Sequence, residues 1–182
     1  MPRIKPIFAS LTITLLSITA AASIFQPASL PPTTQNADSE PVRNIAEWDL
    51  SKKSLAINGY DPVAYFPEAG SKPTKGSKKI TLEYKGAVYR FANETNKATF
   101  ITNPAKYEPA YGGWCAWAMA KGSKTEINPK TFIIKDDRLF LFYNALFGNT
   151  KEDWKKGSHA TLASSADAEW LKISGESPRL TN

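Results

Sequence analysis

The chain has 182 residues, of which 42% are hydrophobic and 22% charged, and its formal net charge is +6. Without the N-terminal segments described below, about 135 residues remain, a normal size for one domain with a single core. Its one cysteine, Cys115, excludes an intramolecular disulfide. The lack of a base-reading motif argues against nucleic acid as a partner.

The N-terminus has the pattern of an export signal. Two basic residues are followed by apolar or small residues from 7 to 22, and this stretch ends in three alanines. We expect residues 1–22 to be a signal peptide cleaved before Ser23, with cleavage after Ala28 as an alternative. An uncleaved membrane anchor also stays open, because the apolar run of about 18 residues approaches the lower limit for a bilayer span. The protein is therefore expected in the periplasm or outside the cell, with membrane contact only through an uncleaved N-terminus.

Residues 23–44 are rich in Pro, Ser and Thr and nearly free of large apolar side chains. Such a segment buries too little surface to offset its chain entropy, so we expect a flexible linker. The folded domain is predicted over 45–174, and residues 175–182 as a disordered tail.

The first half of the domain shows a strand, a helical turn and a hairpin. Residues 55–57 predict a short strand, and Asp61-Pro62 predicts a capped helical turn over 62–66. Alternation over 79–84 and 87–91 predicts a β-hairpin. Asn93 is expected to cap a helix over 94–102 whose Ala98, Phe100 and Ile101 face the sheet. A second short helical turn is predicted from 104 to 107.

The second half begins with an aromatic and apolar stretch, residues 111–120, which should be buried or line a pocket. A second hairpin is predicted over 131–135 and 138–143, turning on Asp136-Asp137 and lying centrally in the sheet. One or two C-terminal helices follow Asn149. The predicted fold class is α+β: a small antiparallel sheet of two β-hairpins packed against short helices, with a C-terminal helical segment.

Several motifs in order resemble the YHS domain family. They are Asn-Gly-Tyr-Asp-Pro-Val-Ala-Tyr-Phe at 58–66, Tyr-Lys-Gly-Ala-Val-Tyr-Arg-Phe at 84–91, and Phe100 with Asn-Pro-Ala-Lys-Tyr at 103–107. The segment Tyr-Gly-Gly-Trp-Cys-Ala at 111–116 is similar to the exported branch of that family. The resemblance covers residues 54–170 and implies this fold for nearly the whole mature chain.

The resemblance implies metal binding through cysteines at three positions, but this chain has Ala64, Ala92 and Asn96 there. A zinc or copper(I) site needs soft ligands at those points, so the family's metal chemistry is not expected here. Relatives with selenocysteine at the position of Cys115 imply a redox role for that residue.

The remaining ligand types limit the other sites. After export the chain has one cysteine, one histidine and one methionine, namely Cys115, His159 and Met119. These are too few for a structural zinc or blue-copper site within one chain, but copper(I) binding by Cys115 and Met119, with help from His159, stays open. Core packing of Met119 and an exposed helical position for His159 are the simpler interpretations. No Ser-His-Asp or Cys-His-Asn order is present, so an enzyme is the less favoured interpretation.

The aromatic residues around Cys115 suggest a ligand pocket. The predicted ligand-binding residues are Tyr60, Tyr65, Tyr111, Gly112, Gly113, Trp114, Cys115 and Trp117, since glycines permit a close approach of a ligand or another chain. The first hypothesis is an exported, non-enzymatic binding module for an unknown small ligand or partner protein. The alternatives are a thiol-dependent redox protein using Cys115 and a copper(I) carrier using Cys115 and Met119.

Overall fold

A computed structural model describes residues 43–146 and 148–179, which all belong to one compact unit. The predicted signal peptide, most of the predicted linker and residues 180–182 lie outside the described residues. Among those described, no helix is both long and apolar enough to cross a bilayer.

The first sheet has four short strands in the order β1-β2-β4-β3. Their bounds are β1, Leu50–Ser51; β2, Leu55–Ala56; β3, Thr81–Tyr84; and β4, Ala87–Arg90. The predicted first hairpin is β3 and β4, joined at Lys85 and Gly86 with φ of 47° and 85°. Two successive positive φ values match the right-handed twist of the flanking strands, which explains the tight turn. Strand β2 joins β4 in parallel, with Leu55 opposite Val88.

Helices α1, Glu94–Thr102, and α2, Pro104–Tyr107, follow the hairpin with the predicted bounds. The Asn93 side chain caps α1 by accepting a hydrogen bond from the Asn96 amide at 2.8 Å. Only Phe100 of the three predicted core residues of α1 is buried; Ala98 is exposed and Ile101 is 54% exposed. Successive side chains on a helix are about 100° apart around its axis. When Phe100 points into the core, Ala98 and Ile101 therefore point to the side of it or away from it.

The second predicted hairpin is β5, Asn128–Lys135, and β6, Arg138–Phe142. The turn residues Asp136 and Asp137 have φ of 49° and 52°, as a two-residue hairpin turn requires. The prediction placed these strands at the centre of one common sheet. They instead form a separate two-stranded sheet. Helices and loops, and not further strands, cover β6. All four residues from Leu139 to Phe142 are at most 1% exposed.

The remaining elements complete the second half. They are α3, Ala116–Met119; β7, Asn144–Ala145; β8, Gly148–Asn149; α4, Thr150–Lys156; and α5, His159–Ser174. Helix α5 begins at the Ser158 cap and ends at Gly175, whose φ of 76° suits glycine. Trp154 of α4 and Trp170 of α5 are at most 2% exposed and close the core. The α+β class with a C-terminal helical segment is confirmed.

Both ends of the folded region extend beyond the predicted bounds of 45–174. Asn44 donates its amide proton to Glu176 Oε1 at 2.7 Å, and Arg179 donates to the Pro109 carbonyl at 2.9 Å. Glu176 is only 6% exposed. Residues 175–179, which the prediction assigned to a disordered tail, are therefore bound to the domain by polar contacts.

Candidate functional site

Cys115 lies fully buried directly before α3. Its Sγ is 3.3 Å from the hydroxyl of Thr150, and its amide donates to the Thr125 carbonyl at 3.0 Å. Met119 is also fully buried, and its amide donates to the Cys115 carbonyl at 2.9 Å. Both sulfur side chains are thus covered by protein in this structure.

The two tyrosines predicted from the first motif have partners of their own. Tyr65 is fully buried, donates its hydroxyl proton to the Pro129 carbonyl at 2.7 Å and packs edge-on against Phe132. The Lys75 ammonium lies 4.9 Å from the centre of the Tyr60 ring. Tyr65 therefore fixes the first half of the domain to β5.

The aromatic residues beside Cys115 also serve different contacts. Tyr111 donates its hydroxyl proton to Asp167 at 2.9 Å, and burial is the main cause that raises the pKa of this phenol. Trp114 donates its ring N–H to the Glu47 carbonyl at 2.6 Å. Trp117 packs under the Lys121 ammonium at 4.3 Å. The five predicted aromatic residues thus each have a separate partner within the described part of the chain.

The Gly112-Gly113 pair supports packing. Gly112 has φ of 61°, and a Cβ atom there would lie 2.9 Å from ring atoms of Trp48 and Trp170. Gly113 has φ of 98°, with Asp49 beside it. The close approach that glycine permits is therefore used by tryptophan side chains of the same chain.

His159 begins α5, and its imidazole ring packs edge-on against Phe140 and Trp154. Its Nδ1 accepts the Trp154 ring N–H at 3.0 Å, and its Nε2 lies 3.9 Å from Asp136. Burial is the main cause that lowers the pKa of His159, against an opposing effect of Asp136. Within the described ranges, no group of three or more His, Cys, Asp or Glu side chains is arranged to hold a metal ion.

Asp61 contacts two of the three positions at which the resemblance implied cysteines, namely Ala92 and Asn96. The third position, Ala64, follows Asp61 closely in the chain. Asp61 is fully buried; its carboxylate accepts from the Val63 amide at 2.9 Å, the Ala92 amide at 2.8 Å and the Asn96 side chain at 2.7 Å. Ala64 lies in the adjacent 3₁₀ turn and is 3% exposed. The Asp61 carboxylate thus connects the 3₁₀ turn, the end of the first hairpin and α1 through its three hydrogen bonds.

A cleft that was not predicted from the sequence lies where the two ends of the folded region meet the first hairpin. It has a volume of 190 Å³, and the residues that line it are Arg43, Tyr84, Lys85, Ala105, Glu108, Glu176, Ser177 and Arg179. Three cations and two carboxylates therefore share this wall. None of the predicted site residues lines it.

Glu108 is the central anion of the cleft. Its two carboxylate oxygens accept from the Arg43 guanidinium at 2.8 and 2.6 Å, and Oε1 also accepts from the Tyr89 hydroxyl at 2.7 Å. Tyr89 is fully buried; burial, followed by the Glu108 charge, raises its pKa well above the ordinary value. The hydrogen-bonding capacity of Glu108 is thus used inside the protein.

Arg179 makes one hydrogen bond and two longer ion-pair contacts in the cleft. One terminal nitrogen donates to the Pro109 carbonyl, but Nε and Nη2 approach Glu108 and Glu176 only to 3.6 Å, beyond hydrogen-bonding distance. The guanidinium lies 4.6 Å from the Trp48 ring centre, and that of Arg43 lies 4.4 Å from it. Trp48 therefore holds both arginines at the cleft by cation–π contacts.

Sequence patterns gave little signal for this cleft. Arg43 lay in the predicted linker and Arg179 in the predicted tail, and their common partner, Glu108, is distant from both in the chain. Only tertiary pairing brings these charges together.

No family model, curated protein or solved structure matches this chain.

Proposed function

We propose that this protein is an exported, non-enzymatic binding module of the YHS type that binds a small carboxylate or phosphate anion in the cleft between Arg43, Lys85 and Arg179. The two carboxylates of the cleft are already hydrogen-bonded within the protein. Arg179 has the longest contacts to these carboxylates, and carboxylate or phosphate oxygens of a ligand are suitable partners for its guanidinium.

The observation that carries this proposal is the state of Arg179. Its Nε and Nη2 lie 3.6 Å from Glu108 and Glu176 oxygens, close enough for ion pairing but too far for hydrogen bonds, and Arg179 lines the cleft. A guanidinium fixed over Trp48 presents these donors without further loss of side-chain freedom, and that preorganisation favours binding. The cleft volume is below the several hundred Å³ of sites for drug-sized ligands, so the ligand must be small.

The YHS assignment is supported by the structural roles of the motif residues. Asp61 connects three elements through its carboxylate, while Phe66 and Tyr107 pack edge-on with ring centres 5.0 Å apart. Tyr89 and Phe91 both pack against Phe100. These motifs therefore contribute to one core.

A binding role is favoured over thiol or copper chemistry by the burial of the sulfur atoms. Cys115 and Met119 have no exposed surface, and the Nδ1 lone pair of His159 is used by Trp154. A reactive thiol needs access to its substrate, and a copper(I) carrier needs access for its ion.

Calorimetric titration of the exported protein with succinate and with phosphate, against sodium chloride at equal ionic strength, tests the proposal. We expect saturable binding of one of these anions, weakened about tenfold by Arg179→Gln and less by Lys85→Gln, which lies on the rim. Lys79→Gln removes an exposed cation outside the cleft and should bind as the wild type does. Equal affinity in wild type and Arg179→Gln, or no saturable binding of either anion, would overturn the cleft assignment.

Export is tested separately by N-terminal sequencing of protein from the extracytoplasmic and membrane fractions. A mature N-terminus at Ser23 or after Ala28 supports a cleaved signal. An intact Met1 in cytosolic protein would overturn the exported part of the proposal.

A further inference from the structure

A second group of positive charges lies at the Asn58-Gly59 turn, and its residues do not line the cleft. The Lys75 ammonium donates to the Asn58 carbonyl at 2.9 Å and lies 4.9 Å from the centre of the Tyr60 ring. The Arg90 guanidinium lies over the next residue, since a Cβ atom on Gly59 would be 3.2 Å from its Nη1. Two cations from different parts of the chain thus meet at one peptide unit.

Two glycines hold Arg90 in place at this turn. Arg90 is the last residue of β4, and a Cβ atom on Gly76 would lie 2.5 Å from its carbonyl carbon. The Gly76 amide donates to the Gly59 carbonyl at 2.9 Å, which joins the two glycines to each other. The Arg90 side chain is half-buried against them. Packing therefore positions this side chain before any ligand arrives, which lowers the entropy cost of binding.

Neither cation has a counter-charge within the part of the chain that the structure describes. Lys75 and Arg90 have no carboxylate at ion-pair distance there, and the Arg90 guanidinium donates no hydrogen bond. Asp61, the acid nearest to the turn in the chain, is fully buried, and its carboxylate already accepts three hydrogen bonds. Glu83 lies opposite Val88 in β3 and pairs with neither cation. The turn thus presents two positive charges that the folded protein leaves uncompensated.

We infer that the Asn58-Gly59 turn binds a phosphate group between Arg90 and Lys75. A guanidinium can donate two parallel hydrogen bonds to two phosphate oxygens, and the ammonium keeps two N–H donors beside the one that Asn58 accepts. A phosphate group carries a charge of about −1.5 to −2 at pH 7, which matches two cations, whereas a carboxylate would neutralise only one. This site is separate from the cleft and does not depend on the proposed function.

Amide NMR of the exported protein, titrated with inorganic phosphate and with glycerol 3-phosphate at constant ionic strength, tests this site. The Arg179→Gln background weakens the cleft, and the Gly59 and Gly76 amides report binding by their position at the turn. We expect saturable shifts of both amides, with the affinity lowered about tenfold by Arg90→Gln and about threefold by Lys75→Gln. Acetate should bind more weakly than either phosphate compound.

Two control variants separate binding from folding. Arg90→Lys keeps the charge but not the planar fork, so the phosphate affinity should fall while the melting temperature changes little. Lys130→Gln removes an exposed cation of β5 and should bind as the background protein does. Tighter binding of glycerol 3-phosphate would assign the site to a phosphate ester, and tighter binding of inorganic phosphate to the free ion. Shifts that do not saturate, or equal affinity with and without Arg90→Gln, would overturn the inference whether or not the cleft binds an anion.

Discussion

Arg43 and Glu108 form a two-pronged ion pair with N···O distances of 2.6 and 2.8 Å, and the Glu108 side chain is only 1% exposed. Glu108 also lies near Arg179, so one buried carboxylate faces cations from both ends of the folded region. The ends of this domain are therefore joined through its interior by charge and not by a disulfide.

Replacing Glu108 by Gln should lower the free energy of unfolding by about 3 kcal/mol. The change removes the buried carboxylate that is the counter-charge of the half-buried Arg43 guanidinium, and breaking a buried pair on one side costs several kcal/mol. Urea unfolding followed by tryptophan fluorescence measures the effect. Glu83→Gln, at an exposed position of β3, is the matched control and should change stability by less than about 0.5 kcal/mol. A similar small effect for both changes would contradict the central role of Glu108.

Local signals in the sequence predicted much of the fold. Asn93 caps α1 and Pro104 begins α2 at the expected residues, and Lys85-Gly86 and Asp136-Asp137 form the expected turns. Caps and turns are encoded by neighbouring residues, which is why their positions follow from the chain alone.

The candidate site was not predictable, because it is formed by residues that are far apart in the chain. The cleft depends on Arg43, Glu108 and Arg179, which only the tertiary fold brings together, and low hydrophobicity made both ends of the domain resemble linkers. The separation of the two hairpins into different sheets has the same origin, because apolar strands look alike whether strands or helices cover them.

Gly112→Ala should destabilise the protein by about 3 kcal/mol or more. The new Cβ atom would lie 2.9 Å from the rings of Trp48 and Trp170, at a φ of 61° that disfavours side chains. Gly70→Ala is the control, since φ there is also positive, at 98°, but no atom lies within 4 Å of the added carbon. Its expected cost is only about 1 kcal/mol, the backbone contribution. Equal melting temperatures for the two variants would show that the close packing at Gly112 is not required.

Asp49→Asn should stabilise the protein at neutral pH but not in acid. Burial, and then the charge of Glu126, raises the pKa of Asp49 from 3.8 to about 6. Because the folded state holds this proton more tightly, the contribution of Asp49 to stability is greatest below pH 3.8 and is lost as the pH rises towards 6.

The whole shift would correspond to about 3 kcal/mol, and the partial exposure of Asp49 reduces the expected gain to about 1 kcal/mol. Urea unfolding of wild type and Asp49→Asn at about pH 8 and about pH 3.5 measures it. Glu126→Gln should give a smaller gain, since Glu126 is the second cause of the shift. A gain of equal size at both pH values would contradict the pKa assignment.

Labelling of Cys115 by a maleimide should be limited by opening of the protein. The thiol has no exposed surface and lies against Thr150, so reagent reaches it only when α3 or α4 separates from the core or the chain unfolds. The labelling rate should therefore rise with urea in parallel with the open population. Cys115→Ala should cost only about 1 kcal/mol, because the Thr150 hydroxyl keeps its hydrogen bond to Tyr143. Labelling in native buffer as fast as that of a free thiol would instead make Cys115 a reactive group and favour the redox alternative over a binding role.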